Sequence, residues 1–360
     1  MRGTDCFQRP LVPRSRFQQQ LTLSVSQTIR KAKSMKTFFV GAGASYGTLY
    51  GRSECPPVAK YFGSELKSRH PSWETEYPGL AKVVRHLGRP IEQLGLEPIW
   101  TCIDYYAKLG CVLPAPSEWD ANATLDLKRV LLQLYGSACD KAAALLPETN
   151  NYTLGHLFGT QLNPGDVVIS FNYDTVVERV ASTFHRVLVP SIGRGEAIGF
   201  AKPHGSVSWC MNWTTRQVEW LAQEGGVAIE AMESAQVDQH HEPLVLGAVP
   251  IKSELIIEVQ QRYFPDVWNV VSSQWKLVTH AIRDATSFII VGYSFPKEDE
   301  YGRFLFCEAM RLRKEQLPAV EFYELEERAS YTKASIRSAF GRDELQPEWK
   351  GPVTPAPHTG

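Results

Sequence analysis

Along this chain, short and continuously apolar runs alternate with longer stretches in which apolar residues recur every three or four positions. The runs fall at residues 37–40, 166–171, 198–201, 244–249, 288–291 and 320–323. Runs of this length without polar alternation read as strands buried on both faces. Helical spacing predicts helices over residues 175–185, 268–285, 300–313 and 326–340. In the second of these, Val271, Trp275, Val278 and Ile282 share one face. Strands alternating with helices imply an α/β fold, a Rossmann-like, doubly wound and mostly parallel sheet covered on both faces. Such sheets bind ligands beyond the carboxyl ends of their strands. The residues that follow each run are therefore the place to look for chemistry.

Residues 56–163 have a different texture. Helical spacing runs through 80–87, 99–109 and 125–146, with few β-branched runs between them. This predicts an all-helical insertion, large enough to form a subdomain. The expected organisation is a basic arm over 1–34, a nucleotide-binding domain over 35–345 that carries the insertion, and a tail over 346–360. The arm holds Arg2, Arg9, Arg14, Arg16, Arg30, Lys31 and Lys33 against one acid, Asp5. It reads as a disordered arm or as a segment preceding a start at Met35; an organelle transit peptide has a similar composition. The tail has four prolines and no apolar periodicity, which predicts disorder.

Composition adds mainly exclusions. The 360 residues are 43% apolar with a formal net charge of -1. No global field draws the chain toward nucleic acid or a membrane surface, and no apolar run is long enough to span a bilayer. The seven cysteines form no CxxC pair. No disulfide framework and no zinc ribbon are expected, and reduced thiols in a cytoplasmic protein are.

Four motifs follow predicted strands. The first is Gly41, Ala42, Gly43, Ala44 and Ser45. Glycines after a strand let backbone amides approach a phosphate, and a following helix N-terminus favours the anion. The spacing to Gly47 departs from the usual dinucleotide fingerprint, and a tight turn is the alternative. The second is Ser170-Phe171-Asn172-Tyr173-Asp174. Asn172 and Asp174 lie at alternate positions and can point to one side; they suit gripping a ribose, a carboxamide or a water, or capping the next helix. The third is Lys202-Pro203-His204-Gly205-Ser206, whose His204 is placed for proton transfer near neutral pH or for a structural hydrogen bond. The fourth is Gly292-Tyr293-Ser294-Phe295-Pro296, a second glycine loop or an ordinary connection.

Other segments read as structural. Asp238, His240, His241 and Glu242 lie in a polar stretch predicted to be a solvated loop, not a metal site. Trp209, Trp213 and Trp220 read as packing. Lys252 is an exposed charge or a site residue. The basic run at 311–314 reads as a helix C-terminus favoured by its dipole.

Taken in order, the four motifs resemble the sirtuin superfamily, with Phe322-Tyr323-Glu324-Leu325 as the last strand near the adenine. Phe171-Asn172-Tyr173-Asp174, Lys202-Pro203-His204-Gly205-Ser206 and Val291-Gly292-Tyr293-Ser294-Phe295 are worded like the bacterial sirtuin-like NAD-cleaving effectors of anti-phage defence. The resemblance covers about residues 36–340, least closely in the insertion. The deacylases' zinc ribbon is missing, and the loop after the first motif reads Gly51-Arg52-Ser53-Glu54-Cys55-Pro56-Pro57. The resemblance therefore implies an NAD glycohydrolase that releases nicotinamide and linear or cyclic ADP-ribose. A non-catalytic NAD or ADP-ribose sensor, or a deacylase or ADP-ribosyltransferase, is the alternative. It implies that Gly41, Ala42, Gly43, Ala44 and Ser45 cradle the diphosphate. Asn172 orients the ribose or water, Asp174 supports it, and His204 is the general base. Gly292, Ser294 and Glu324 face the adenosine. It also implies gating by self-assembly into a homo-oligomer or by a separate sensor or activator protein.

Overall fold

The computed structural model describes residues 34–49, 55–109, 122–136, 153–189, 197–215, 217–220, 237, 240–245, 265–313 and 316–353. Contacts group Met35–Gly360 as one unit, separate from Met1–Ser34. The expectations for the basic arm up to residue 33, for Lys252 and for residues 354–360 lie outside the described residues.

The chain runs β1 (Lys36–Val40), α1 (Ala42–Thr48), α2 (Phe62–Arg69), α3 (Trp73–Glu76), α4 (Pro78–Leu87), α5 (Leu96–Leu109) and α6 (Asn122–Leu131). A π-helical turn, Leu132–Gly136, extends α6. Then come α7 (Thr153–Thr160), β2 (Val167–Ser170), α8 (Val176–Thr183), β3 (Leu188–Val189), β4 (Ile198–Ala201), β5 (Gly205–Asn212), β6 (Gln217–Trp220) and β7 (His241–Val245). The last third holds α9 (Pro265–Asp284), β8 (Ser287–Val291), α10 (Glu300–Arg311), β9 (Ala319–Tyr323), α11 (Ala329–Phe340) and β10 (Pro347–Gly351).

Seven strands form one sheet in the order β10-β9-β8-β1-β2-β4-β3, and every pairing in it is parallel. The fold is therefore α/β and Rossmann-like. From β1 the chain first builds outward through β2 to β3 and β4, then crosses to β8 and builds the other way. The reversal places a topological switch point at β1, where a ligand crevice is expected.

Alternate residues of each central strand enter opposite cores, as the pleat requires. Phe39, Ile169, Phe288, Ile290 and Phe322 pack under α9, α10 and α11, against Val278, Ile282, Phe306, Met310 and Phe340. Phe38, Val40, Val168, Ile289 and Val291 pack under α1, α7 and α8, against Leu154, Phe158, Val177 and Val180. Phe39 is the hub of the first core, with the rings of Phe288, Phe295, Phe306 and Phe340 at centroid distances of 5.3–6.1 Å.

The helices before α7 have a third core of their own, which includes Phe62, Leu66, Trp73, Leu80, Val83, Leu127 and Leu131. That core also takes in Tyr173, Val207, Cys210 and Val245. The insertion thus packs on a second sheet that periodicity did not reveal: β6-β5-β7, antiparallel. Its α7, grouped with the insertion by sequence, belongs to the main sheet through Leu154, Leu157 and Phe158.

Three further expectations are corrected. The tail was expected to be disordered from residue 346, yet β10 pairs in parallel with β9. Its Pro347 opens an edge strand, where a missing N–H costs no ladder bond. Trp349 donates its Nε1–H to the Glu324 carbonyl at 2.9 Å. The polar segment at 238–242 was expected to be a solvated loop. Instead His241 and Glu242 begin β7, and Glu242 is buried in a close ion pair with Lys128. Of the three tryptophans, Trp209 is core while Trp213 is exposed. Arg313, in the basic run, donates Nη1 to the Ile282 and Arg283 carbonyls at 2.9 and 3.0 Å, closing the end of α9. No helix among the described residues is long and apolar enough to cross a membrane.

Phe39→Ala removes the hub ring from a core that cannot collapse around so many aromatic neighbours. A loss of about 3–5 kcal/mol is expected. It is to be read as a lower denaturation midpoint with an unchanged denaturant slope.

Candidate functional site

The four motifs meet because their strands are adjacent. Val40 of β1 is in register with Ser170 of β2 and Val291 of β8, and Ile169 of β2 with Ala201 of β4. The first residues beyond the strands therefore form a row. Gly41 N–H donates to the Val291 carbonyl at 3.0 Å, Phe171 N–H to Val40 at 2.9 Å, and Gly292 N–H to Tyr323 at 2.9 Å. The parallel ladder continues past the strand ends into the site loops.

Glycine is required where these loops cross. Gly292 has a φ of +57°, and a Cβ on it would stand 2.3 Å from the Ala44 nitrogen. A Cβ on Gly41 would stand 2.5 Å from the Gly292 carbonyl oxygen. The two loops lie in backbone contact, and Gly43 N–H donates to that same oxygen at 3.0 Å. Ala44 N–H donates to Gly41 O at 2.9 Å. The amides of Gly41, Gly43 and Ala44 are thus committed within the fold. Cradling a diphosphate through them requires the first loop to part from Gly292.

Ser45 is fully buried and does not face outward. Its hydroxyl donates to Asp174 Oδ1 at 2.9 Å and accepts from Asn172 Nδ2 at 2.8 Å. Asn172 Nδ2 also donates to the Gly41 carbonyl at 3.0 Å. With both amide hydrogens spent, Asn172 presents only Oδ1, which is buried and has no hydrogen-bond partner among the described residues. A buried acceptor left unmatched costs free energy unless a ligand or water supplies the proton. Asp174 combines the two roles foreseen for it. Its Oδ1 accepts from Val176 N–H at 3.0 Å, an Asx turn into α8, as well as from Ser45. Burial pushes the Asp174 carboxyl up, and the Lys202 ammonium pulls it partly back.

Lys202 has no solvent exposure. Its Nζ donates to Glu178 Oε1 at 2.8 Å and, in a short contact, to the Asp174 carbonyl. Its own backbone N–H donates to Gln274 Oε1 of α9 at 2.9 Å. Burial raises the Glu178 carboxyl and Lys202 opposes that shift.

Three residues on, Gly205 turns the chain at φ +82° into β5, where a Cβ would meet Leu244 O at 2.0 Å. His204 is held just before this turn, 9% exposed. Its ring lies edge-on to Phe171, 5.4 Å between centroids, and 6.1 Å from Trp275. Phe171 in turn stacks on Tyr293 at 4.1 Å and 3°. His204 Nε2 stands 3.2 Å from Asp299 Oδ2, at ion-pair distance but with the N–H direction off the oxygen. Asp299 Oδ2 also accepts from Tyr293 Oη at 3.2 Å, and Oδ1 from Gly302 N–H at 3.0 Å. Burial opposes charge on both partners, yet their mutual attraction outweighs it. His204 is raised and Asp299 is lowered from their ordinary values.

Asn172, Asp174, His204, Gly41, Gly43, Ala44, Ser45 and Gly292 are thus brought together, with Ala42 opening α1 and Ser294 half-buried on the facing loop. Glu324 follows the neighbouring β9, but its carboxylate is turned into its own loop. Oε1 accepts from Leu325 N–H at 3.0 Å and Oε2 from Thr332 Oγ1 at 3.5 Å. Asp299, Tyr293, Glu178 and Gln274 were not singled out by sequence. Only Asp299 carried a signal, as an acid opening a predicted helix. Two surface clefts, of about 490 and 340 Å³, lie elsewhere. One runs along Phe322, Lys333 and Trp349, the other along Lys67, Trp73 and Arg85, and neither includes a site residue. Among the described residues no cluster of His, Cys, Asp and Glu is placed to hold a metal ion. The chain matches no protein-family model and no curated protein.

Removing one partner of the Lys202–Glu178 pair strands a buried charge. Lys202→Met is expected to cost about 3–5 kcal/mol. The double variant Lys202→Met/Glu178→Leu should recover much of it. A thermodynamic cycle from denaturant melts checks both.

Proposed function

We propose that the chain is a sirtuin-like NAD glycohydrolase, cleaving the bond between nicotinamide and C1′ of the adjoining ribose. The observation that carries this reading is the pairing of two groups at neighbouring strand ends. Asn172 offers a buried, unmatched acceptor, and His204 offers a titratable ring. Both stand beside a glycine loop at the switch point of a parallel sheet. The order and wording of the four motifs support the same assignment.

The chemistry asks little acid catalysis of the protein. The nicotinamide nitrogen carries positive charge in NAD, so when the C1′–N bond breaks its electron pair neutralises the leaving ring. Positive charge develops on the sugar, as in other glycosyl transfers. Water adds at C1′ and gives up a proton. Asn172 Oδ1 can accept only from an O–H or N–H, so it suits a ribose hydroxyl or the attacking water and rejects the carboxamide carbonyl. His204 takes the proton, and the products are nicotinamide and ADP-ribose. Asp174, tied to Ser45, holds the amide of Asn172 the right way round. A ribose hydroxyl in place of water gives a cyclised product by the same steps.

The site side chains are almost closed to solvent, with Ser45, Asn172 and Asp174 each no more than 4% exposed. Entry of NAD requires the loops after β1 and β8 to separate, which supports gating by assembly or by an activator protein.

NAD loss and nicotinamide release are to be followed by chromatography, with and without candidate activators. His204→Ala and Asn172→Ala are expected to lower cleavage by about 10²–10⁴-fold while the fold is retained. Wild-type protein that binds NAD and never releases nicotinamide under any activating condition would replace this reading with a sensor.

A further inference from the structure

We propose that Asp299 is the positioning residue of His204, holding Nε2 so that Nδ1 is the nitrogen that takes the proton. The inference deepens the glycohydrolase reading and depends on it for the identity of the proton donor, not for the pairing itself.

The geometry is specific. Asp299 ends the loop that begins at Gly292 and opens α10, 1% exposed. Two donors bond its carboxylate, the Gly302 amide on Oδ1 and the Tyr293 hydroxyl on Oδ2, and His204 Nε2 stands 3.2 Å from Oδ2. Tyr293 is itself fixed by its parallel stack on Phe171, the ring that also flanks His204. Carboxylate, tyrosine and imidazole therefore form one buried set spanning the ends of β2, β4 and β8. His204 Nε2 has no hydrogen-bond partner among the described residues, and Asp299 Oδ2, at 3.2 Å, is the acceptor within reach. A slight rotation of either group aligns Nε2–H with Oδ2. An imidazole whose Nε2 proton is held by a carboxylate is an acceptor at Nδ1 alone.

The arrangement also sets the energetics of the transfer. When Nδ1 takes a proton, the imidazolium that forms faces an ionised carboxylate in a water-poor setting. The other charged or titratable groups acting on His204 are few. Glu97, from the first turn of α5, adds a weaker attraction for the cation. Tyr293 stays neutral, its hydroxyl raised by burial and by Asp299. Both acids favour the protonated ring, and burial opposes it.

The sign of the pH dependence follows. Neutral His204 is the active base, so cleavage rises with pH through the His204 pKa. With Asp299 in place that limb lies above the ordinary histidine value of about 6.5. Asp299→Asn keeps a side chain that caps α10 well and removes the charge. Burial then dominates, and the limb moves below about 6.5.

The test uses the full chain. His204 is titrated by NMR of histidine-labelled protein, its signal identified by its loss in His204→Gln, in wild type, Asp299→Asn and Asp299→Glu. NAD cleavage is profiled against pH in the same proteins. The expected result is a wild-type midpoint above about 6.5 that falls by about a unit or more in Asp299→Asn. The acidic limb of the rate should move with it, with a plateau at least about tenfold lower. Asp299→Glu should keep the raised midpoint. A wild-type midpoint at or below 6.5 overturns the proposal without recourse to any variant, as does a midpoint unmoved in a folded Asp299→Asn. Because the titration needs no turnover, a protein that fails to cleave NAD but shows the shifted midpoint separates loss of the glycohydrolase reading from loss of the pair.

Discussion

An ammonium group with no access to water has to be matched by the protein, and in this fold Lys202 imposes that condition on everything near it. Its Nζ is satisfied by the Glu178 carboxylate and the Asp174 carbonyl, both belonging to the turn and first helical turn after β2. Its backbone amide is satisfied from α9. One side chain at the end of β4 thereby fixes how the Asn-x-Asp turn sits relative to its own strand. The pair need not add net stability, since desolvation of two ions offsets their attraction. What it supplies is a single arrangement: any other placement of the turn leaves a buried charge alone.

From that fixed turn a chain of polar contacts runs into the site. Asp174 holds the Ser45 hydroxyl, Ser45 holds the Asn172 amide, and the last atom of the series, Asn172 Oδ1, is left for a ligand. On the other side, Asp299 and Tyr293 set the surroundings of His204. The two chains approach the same place from opposite sheet directions, from β2 and β4 on one hand and β8 on the other. Their separation is governed by the parallel register and by three glycines, Gly41, Gly43 and Gly292, whose missing side chains allow backbone to touch backbone. Tight contact between the first and fourth loops closes the site and takes up the amides that a diphosphate would use. On the proposed glycohydrolase reading, that contact has to open before NAD can enter.

The insertion and the small antiparallel sheet share one core, to which Tyr173 of the Asn-x-Asp turn belongs. Its ring meets Tyr135 at 5.8 Å. The residue between Asn172 and Asp174 is therefore in direct contact with the insertion.

The amino-acid sequence alone determined the α/β class, the neighbourhoods of five of the seven main-sheet strands, all but the short β3 and the edge β10, and the four segments that carry the candidate site. The reason is that a strand buried on both faces must be apolar throughout, and a loop at a strand end is marked by glycine and polar residues. Asn172, Asp174 and His204 were legible because they stood within such loops. The tertiary structure alone decided the rest. β10 is made by pairing with β9, not by its own polar residues, and β5 and β6 by pairing with each other and with β7, of which the apolar run at 244–249 marked only the end. Glu242, in a segment read as a solvated loop, and Lys202 are charged residues that only distant partners, Lys128 and Glu178, admit to the interior. Asp299 became part of the site because two strands far apart in sequence lie close in the sheet, a proximity that no local pattern encodes. Local chemistry is written in the order of residues, whereas the pairing of buried charges and strand edges is set by which parts of the chain the fold brings within a few ångströms.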